Sequence, residues 1–168
     1  MFMDTQSRNF TFYIALILVF LAFISRLIPH PPNVTPIAAI AIFSGACIAD
    51  KKIAFLLPIT IMFLTDLMIG MHNFMWAVYL SFGINTFLGT VISKNLNVSS
   101  IFAAGVLGSL QFFVLTNFAV WLTSGMYNST LGGLLECFTL AIPFYQNTIL
   151  GDIFYITILF YIYIATKN

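Results

Sequence analysis

Charge is what this sequence has least of: 7% of its 168 residues are Asp, Glu, Lys or Arg, where a soluble domain carries about 25%. So few charges exclude an ordinary water-facing surface. The net charge of +1 leaves no basic excess for nucleic acid and no polybasic membrane-surface stripe. The two cysteines, Cys47 and Cys137, have no CxxC or metal-type spacing. The GxxxxGK[ST] phosphate loop, the HExxH zinc helix and the GxSxG elbow are missing too. No motif equips the chain to hydrolyse ATP, and none implies a cofactor. Uphill movement of a solute would need another subunit or an ion gradient.

What is there is apolar: 61% of the residues are hydrophobic, and 19 are Phe. Crossing the hydrocarbon of a bilayer takes roughly 20 residues of helix. Six apolar stretches can be drawn, at 10–28, 37–49, 53–70, 75–93, 99–122 and 148–166. The expected fold is one all-α integral membrane domain over 1–168 with six transmembrane helices. The first stretch follows Arg8 without a small-x-small cleavage site and reads as a retained helix. The second is short for a span. Pro29-His30-Pro31-Pro32-Asn33 breaks the chain between the first two, because proline removes donors and restricts its neighbours. The longest interruption, 123–147, contains Gly125, Gly132, Gly133 and Pro143. Its apolar middle, 131–142, is too short to span, and its spacing suggests a re-entrant or interfacial helix, held against protein or a water-filled cavity.

Basic residues orient such a chain. Arg8, Lys51, Lys52, Lys94 and Lys167 all fall on one side of a six-span arrangement, while the loops 29–36, 71–74 and 123–147 have no Lys or Arg. The positive side is cytoplasmic, so both termini are expected there. Ala41, Gly45 and Ala49, and likewise Ala104 and Gly108, are spaced by four, which lets helix backbones approach closely in lipid. Packing within the chain is the simpler use of this spacing, and docking to another membrane subunit is the alternative.

Charges inside spans are costly and tend to be functional. Arg26, Asp66 and Asp152 are embedded, each toward the extracytoplasmic end of its stretch. His30, His72 and Glu136 fall in the loops on that same side. The asymmetry points to a polar cavity open outward and closed inward. Arg26 has two candidate partners, Asp66 and Asp152, and either pairing could be purely structural. A metal site from His30, His72, Asp66 and Glu136 is chemically conceivable, but no tight His-x3-His spacing supports it and none is expected. Asn33, Asn85, Gln111, Asn117 and Asn147 are by default interhelical hydrogen bonders. Trp121 suits an interfacial belt, Tyr79 suits either a belt or a cavity wall, and Cys137 suits packing.

The string Arg26-Leu27-Ile28-Pro29-His30-Pro31-Pro32-Asn33-Val34-Thr35-Pro36-Ile37-Ala38-Ala39 resembles the R-x-x-P-H-P-P-N-x-T-P-I-A-A signature of an uncharacterised family of small bacterial membrane proteins. The resemblance continues at Thr65-Asp66-Leu67, Gly70-Met71-His72, Val78-Tyr79, Thr116 to Trp121 and Asn147 to Asp152. That family is in turn similar to the substrate-binding S components of energy-coupling factor transporters. The resemblance implies six helices in the bacterial cytoplasmic membrane and an outer site for a vitamin or metal. It also implies a transmembrane coupling subunit with ATPases as partner. A solitary relative of that class moves cobalamin, with a cysteine contacting cobalt. This chain has no cysteine between Asp66 and Tyr79, and His72 or Tyr79 is left to take that place.

The expected function is a non-enzymatic solute-binding and uptake subunit in the lipid bilayer, for a small vitamin-like molecule or metal chelate. Arg26, His30, Asn33, Asp66, His72, Tyr79, Asn117 and Asp152 are the candidate binding residues. Two other classes stay open: a small assembly or scaffold subunit in which the ion pairs are structural, and an intramembrane enzyme using Asp66, His72 and His30 as acid–base groups.

Overall fold

The computed structural model describes residues 17–165. Among them six helices follow in order: α1 (Ile17–Leu27), α2 (Ile37–Cys47), α3 (Lys51–Ile69), α4 (Met75–Ile92), α5 (Val98–Thr123) and α6 (Leu131–Ala165). No strand occurs among these residues. The first part of the first apolar stretch, 10–16, and the orienting residues Arg8 and Lys167 lie outside the described residues. Four helices, α3 to α6, are long and apolar enough to cross a membrane. Their outward faces carry large apolar side chains, such as Phe87 at 58% and Leu150 at 68% exposure. An apolar surface of this extent is a membrane or partner-binding feature.

The short α2 is the core. Every residue from Ile37 to Gly45 is buried, and the helix packs against α3, α4, α5 and α6. A helix apolar on all sides belongs inside. The small residues make this possible. A Cβ on Gly45 would lie 1.9 Å from the Thr86 carbonyl oxygen, and one on Gly89 would lie 2.0 Å from that of Ile42. The spacing of Ala41 and Gly45 therefore serves backbone contact within the chain.

Local chemistry finishes the helix ends. Asp50 caps α3 by accepting from the Lys52 and Ile53 amides, and Asn97 forms a capping box with Ser100 at the start of α5; both satisfy orphan N–H groups. Lys51 Nζ donates to the Gly45 and Ile48 carbonyls at 2.7 and 3.1 Å, closing the C-terminal end of α2. Pro58 sits inside α3 and cannot donate to the carbonyl four residues back. That carbonyl, Ala54 O, accepts from Ser44 Oγ at 2.9 Å instead.

The helix α6 departs from the sequence reading. It runs unbroken for 35 residues, through Pro143, and spans about 52 Å at 1.5 Å per residue. The segment 131–142 is thus its first part and not a separate re-entrant piece. Proline loses one donor, but its φ is already helical, so a single proline need not end a helix. Gly133 lets the preceding loop fold back, since a Cβ there would meet Asn128 O at 2.1 Å.

Candidate functional site

The Pro31-Pro32-Asn33-Val34 segment is a turn. Val34 N donates to Pro31 O at 3.1 Å, and Asn33 has a φ of 65°. Proline at the second position presets its own φ, and asparagine at the third tolerates a left-handed one. The turn brings the chain against α6. A Cβ on Gly151 would stand 3.3 Å from Val34 Cα, so α2 begins beside the residue that precedes Asp152.

A cavity of about 500 Å³ lies between this loop and the helices. Its aromatic walls are Phe82 on α4, Phe112 and Phe113 on α5, and Phe144 and Tyr145 on α6. Phe113 and Tyr145 stack with ring centroids 4.9 Å apart. Among the candidate binding residues, Arg26, His30, Asn33, His72, Asn117 and Asp152 line it. The other two are off its lining: Asp66 accepts from Arg26, and Tyr79 donates to Asp66.

That support is well satisfied. Arg26 donates to Asp66 Oδ1 at 2.9 Å, to Met62 Sδ at 3.1 Å and to Thr65 Oγ1. Tyr79 OH donates to Asp66 Oδ2 at 2.9 Å, so both oxygens of this carboxylate have partners. The side chains of Arg26 and Asp66 are 17% and 2% exposed. Of the two pairings open to Arg26 in the sequence, the fold forms the one with Asp66, tying α1, α3 and α4 together where α1 and α3 end and α4 begins.

Asp152 is held differently. It is 2% exposed, and Ser109 Oγ donates to its Oδ2 at 2.7 Å. Among the described residues its carboxylate has no cationic partner. Two residues beyond Ser109, Gln111 Nε2 donates to Ser81 O at 3.1 Å and Asn85 Oδ1 at 2.9 Å. This places Asp152 near the level of residues 81–85, roughly 3–9 Å further along α4 than Tyr79.

The remaining candidates behave individually. The His72 ring packs on Phe74 with centroids 3.9 Å apart, and among the described residues its buried Nδ1 has no hydrogen-bond partner. Asn117 Nδ2 donates along its own helix to Phe113 O at 2.8 Å, not across helices. Asn85 and Gln111 do bond across helices, and among the described residues Asn85 Nδ2 and Gln111 Oε1 are buried without partners. Trp121 Nε1 donates to Asn128 O at 3.0 Å. Buried Cys137 lies with its thiol 3.5 Å from Asn117 O. Glu136 is exposed and off the cavity lining. Among the described residues no three of His, Cys, Asp and Glu gather to hold a metal ion.

Sequence reasoning passed over Thr35, Thr116 and Thr148, which line the cavity, and Ser109, which holds Asp152. A signal existed. Phe144, Thr148 and Asp152 recur every four residues, one face of a helix, but the sequence reading began the sixth span only at 148. No curated protein and no solved structure matches this chain. Residues 6–168 match a family of unknown function, DUF6580, and the chain belongs to that family.

Proposed function

We propose that this chain is a membrane-embedded solute-binding and uptake subunit, with a vitamin-like molecule or a chelate as its ligand. In this reading α1 and α2 join the four long helices to make six spans in the bacterial cytoplasmic membrane. Both termini are cytoplasmic, and the cavity faces outward. The observation that carries the reading is the cavity itself. Its volume of about 500 Å³ falls in the range of small-molecule sites, which are mostly apolar with a few converging polar groups. Arg26, His30, His72 and Asp152 provide those groups. A molecule the size of one vitamin ring system fits, whereas a corrinoid would stand largely outside. The positive-inside bias of Lys51, Lys52 and Lys94 supports the orientation. A coupling subunit with ATPases enters as the proposed partner through the resemblance to energy-coupling factor S components, an ion gradient being the alternative source of energy.

Native mass spectrometry of the protein, gently purified from its own membrane, tests this. The expected result is a discrete adduct that is lost in His30→Ala. A bare protein mass that stays bare after vitamins and chelates are offered would overturn it.

One observation favours a second reading, a scaffold subunit. In the Arg26–Asp66–Tyr79 cluster both oxygens of the carboxylate are paired and three helices are tied, as by a structural ion pair. On that reading His30→Ala and His72→Ala leave the cellular phenotype untouched.

A further inference from the structure

The charges around the cavity do not balance. Apart from the imidazoles of His30 and His72, its charged lining residues are Arg26 and Asp152. Arg26 is already neutralised by Asp66 at 2.9 Å. Among the described residues Asp152 has only the Ser109 hydroxyl, whose one hydrogen is also within reach of the Gly105 carbonyl at 3.0 Å. A carboxylate taken out of water stays charged only with a counter-charge or several donors, and one neutral donor does not hold the charge. The N-terminal end of α2 lies near, since Val34 packs on Gly151, yet among the described residues no α2 amide donates to Asp152. Tyr145 also lines the cavity, but its hydroxyl makes no hydrogen bond to Asp152. The same cavity is lined by the rings of Phe82, Phe112, Phe113 and Phe144, and ring faces attract cations.

We infer that the ligand of this cavity is an organic cation: a protonated amine or amidinium nitrogen, set against Asp152, on a flat apolar body held between the rings of Phe82, Phe112, Phe113 and Phe144. The inference rests on the solute-binding reading and adds the charge class of the solute. It assigns Arg26 a positioning role at the cavity wall, with its charge spent on Asp66. Anionic solutes are disfavoured, because Asp152 repels them.

Three probes sharing one indole body separate the classes: tryptamine as cation, tryptophol as neutral analogue and indole-3-propionate as anion. Binding is measured by isothermal calorimetry on the full chain in detergent. Tryptamine is expected to bind about tenfold tighter than either other probe, the factor given by roughly 1.4 kcal/mol. Asp152→Asn is expected to abolish that preference while tryptophol binding persists, which reports that the variant is folded. Asp152→Glu keeps the charge and is expected to keep the preference.

Equal binding of the three probes, tighter binding of the anion, or a preference that survives Asp152→Asn would overturn the cation assignment and leave the cavity reading in place. No binding of any probe, alongside a native adduct that is lost in His30→Ala, would also overturn it. No probe binding and no native adduct would remove the uptake reading itself.

Discussion

The two buried carboxylates make an instructive pair. Asp66 and Asp152 are 1% and 2% exposed, and both are carried on helices with few other charges. Asp66 has a guanidinium on one oxygen and a phenol on the other. Asp152 has one serine hydroxyl and a cavity in front of it. Equal burial therefore does not mean equal work. The first has its partners built in and holds helices together. The second lines the cavity, and among the described residues only a serine hydroxyl bonds to it.

The largest expected effect comes from breaking the satisfied member. Arg26→Ala leaves Asp66 buried with its cation gone and is expected to cost about 3–5 kcal/mol, measured by reversible unfolding in mixed micelles. A loss below 1 kcal/mol would mean that the pair does not hold α1 to α3. Next comes a packing change that touches neither carboxylate. Gly45→Val forces α2 away from the Thr86 backbone and is expected to destabilise by about 1–3 kcal/mol. If cavity ligands still bind in the surviving folded fraction, stability and binding are separable. Tyr79→Phe removes one hydrogen bond to Asp66 and is expected to cost about 1 kcal/mol, the scale of interhelical hydrogen bonds in lipid. The smallest stability effect belongs to Asp152→Asn, expected to stay within about 1 kcal/mol of the parent, because replacing a poorly paired buried charge relieves as much as it loses. A loss like that of Arg26→Ala would erase the contrast between the two carboxylates.

The same contrast marks how far the sequence could be read. The turn between α1 and α2 was visible, because Pro29, Pro31 and Pro32 exclude helix whatever surrounds them. The boundary between α2 and α3 was visible in Asp50-Lys51-Lys52, since a cap and two charges cannot lie inside an apolar run. Pro143 looked like a similar stop, yet α6 continues through it, because one missing donor is a smaller loss than ending a packed helix. The burial of α2 was not visible either: its shortness appeared as a defect in a span, whereas its all-round apolar surface places it in the core. At the site, the embedded charges could be picked out by their cost in apolar surroundings. The hydroxyl partner Ser109 could not, because a serine among small residues reads the same whether it caps a carboxylate or merely lets two helices approach.

By itself the sequence determined the helical class, the apolar character of the helices and the roster of polar groups they carry. Those follow from composition and run length, and hydrophobic burial and backbone hydrogen bonding depend on little else. Which partner each polar group receives was decided only by tertiary structure. Arg26 stands within reach of two carboxylates on paper, and a hydrogen bond needs its atoms about 3 Å apart. Only the packing of α2 against α4, the turn at Asn33 and the unbroken α6 bring the guanidinium to Asp66 and leave Asp152 facing the cavity.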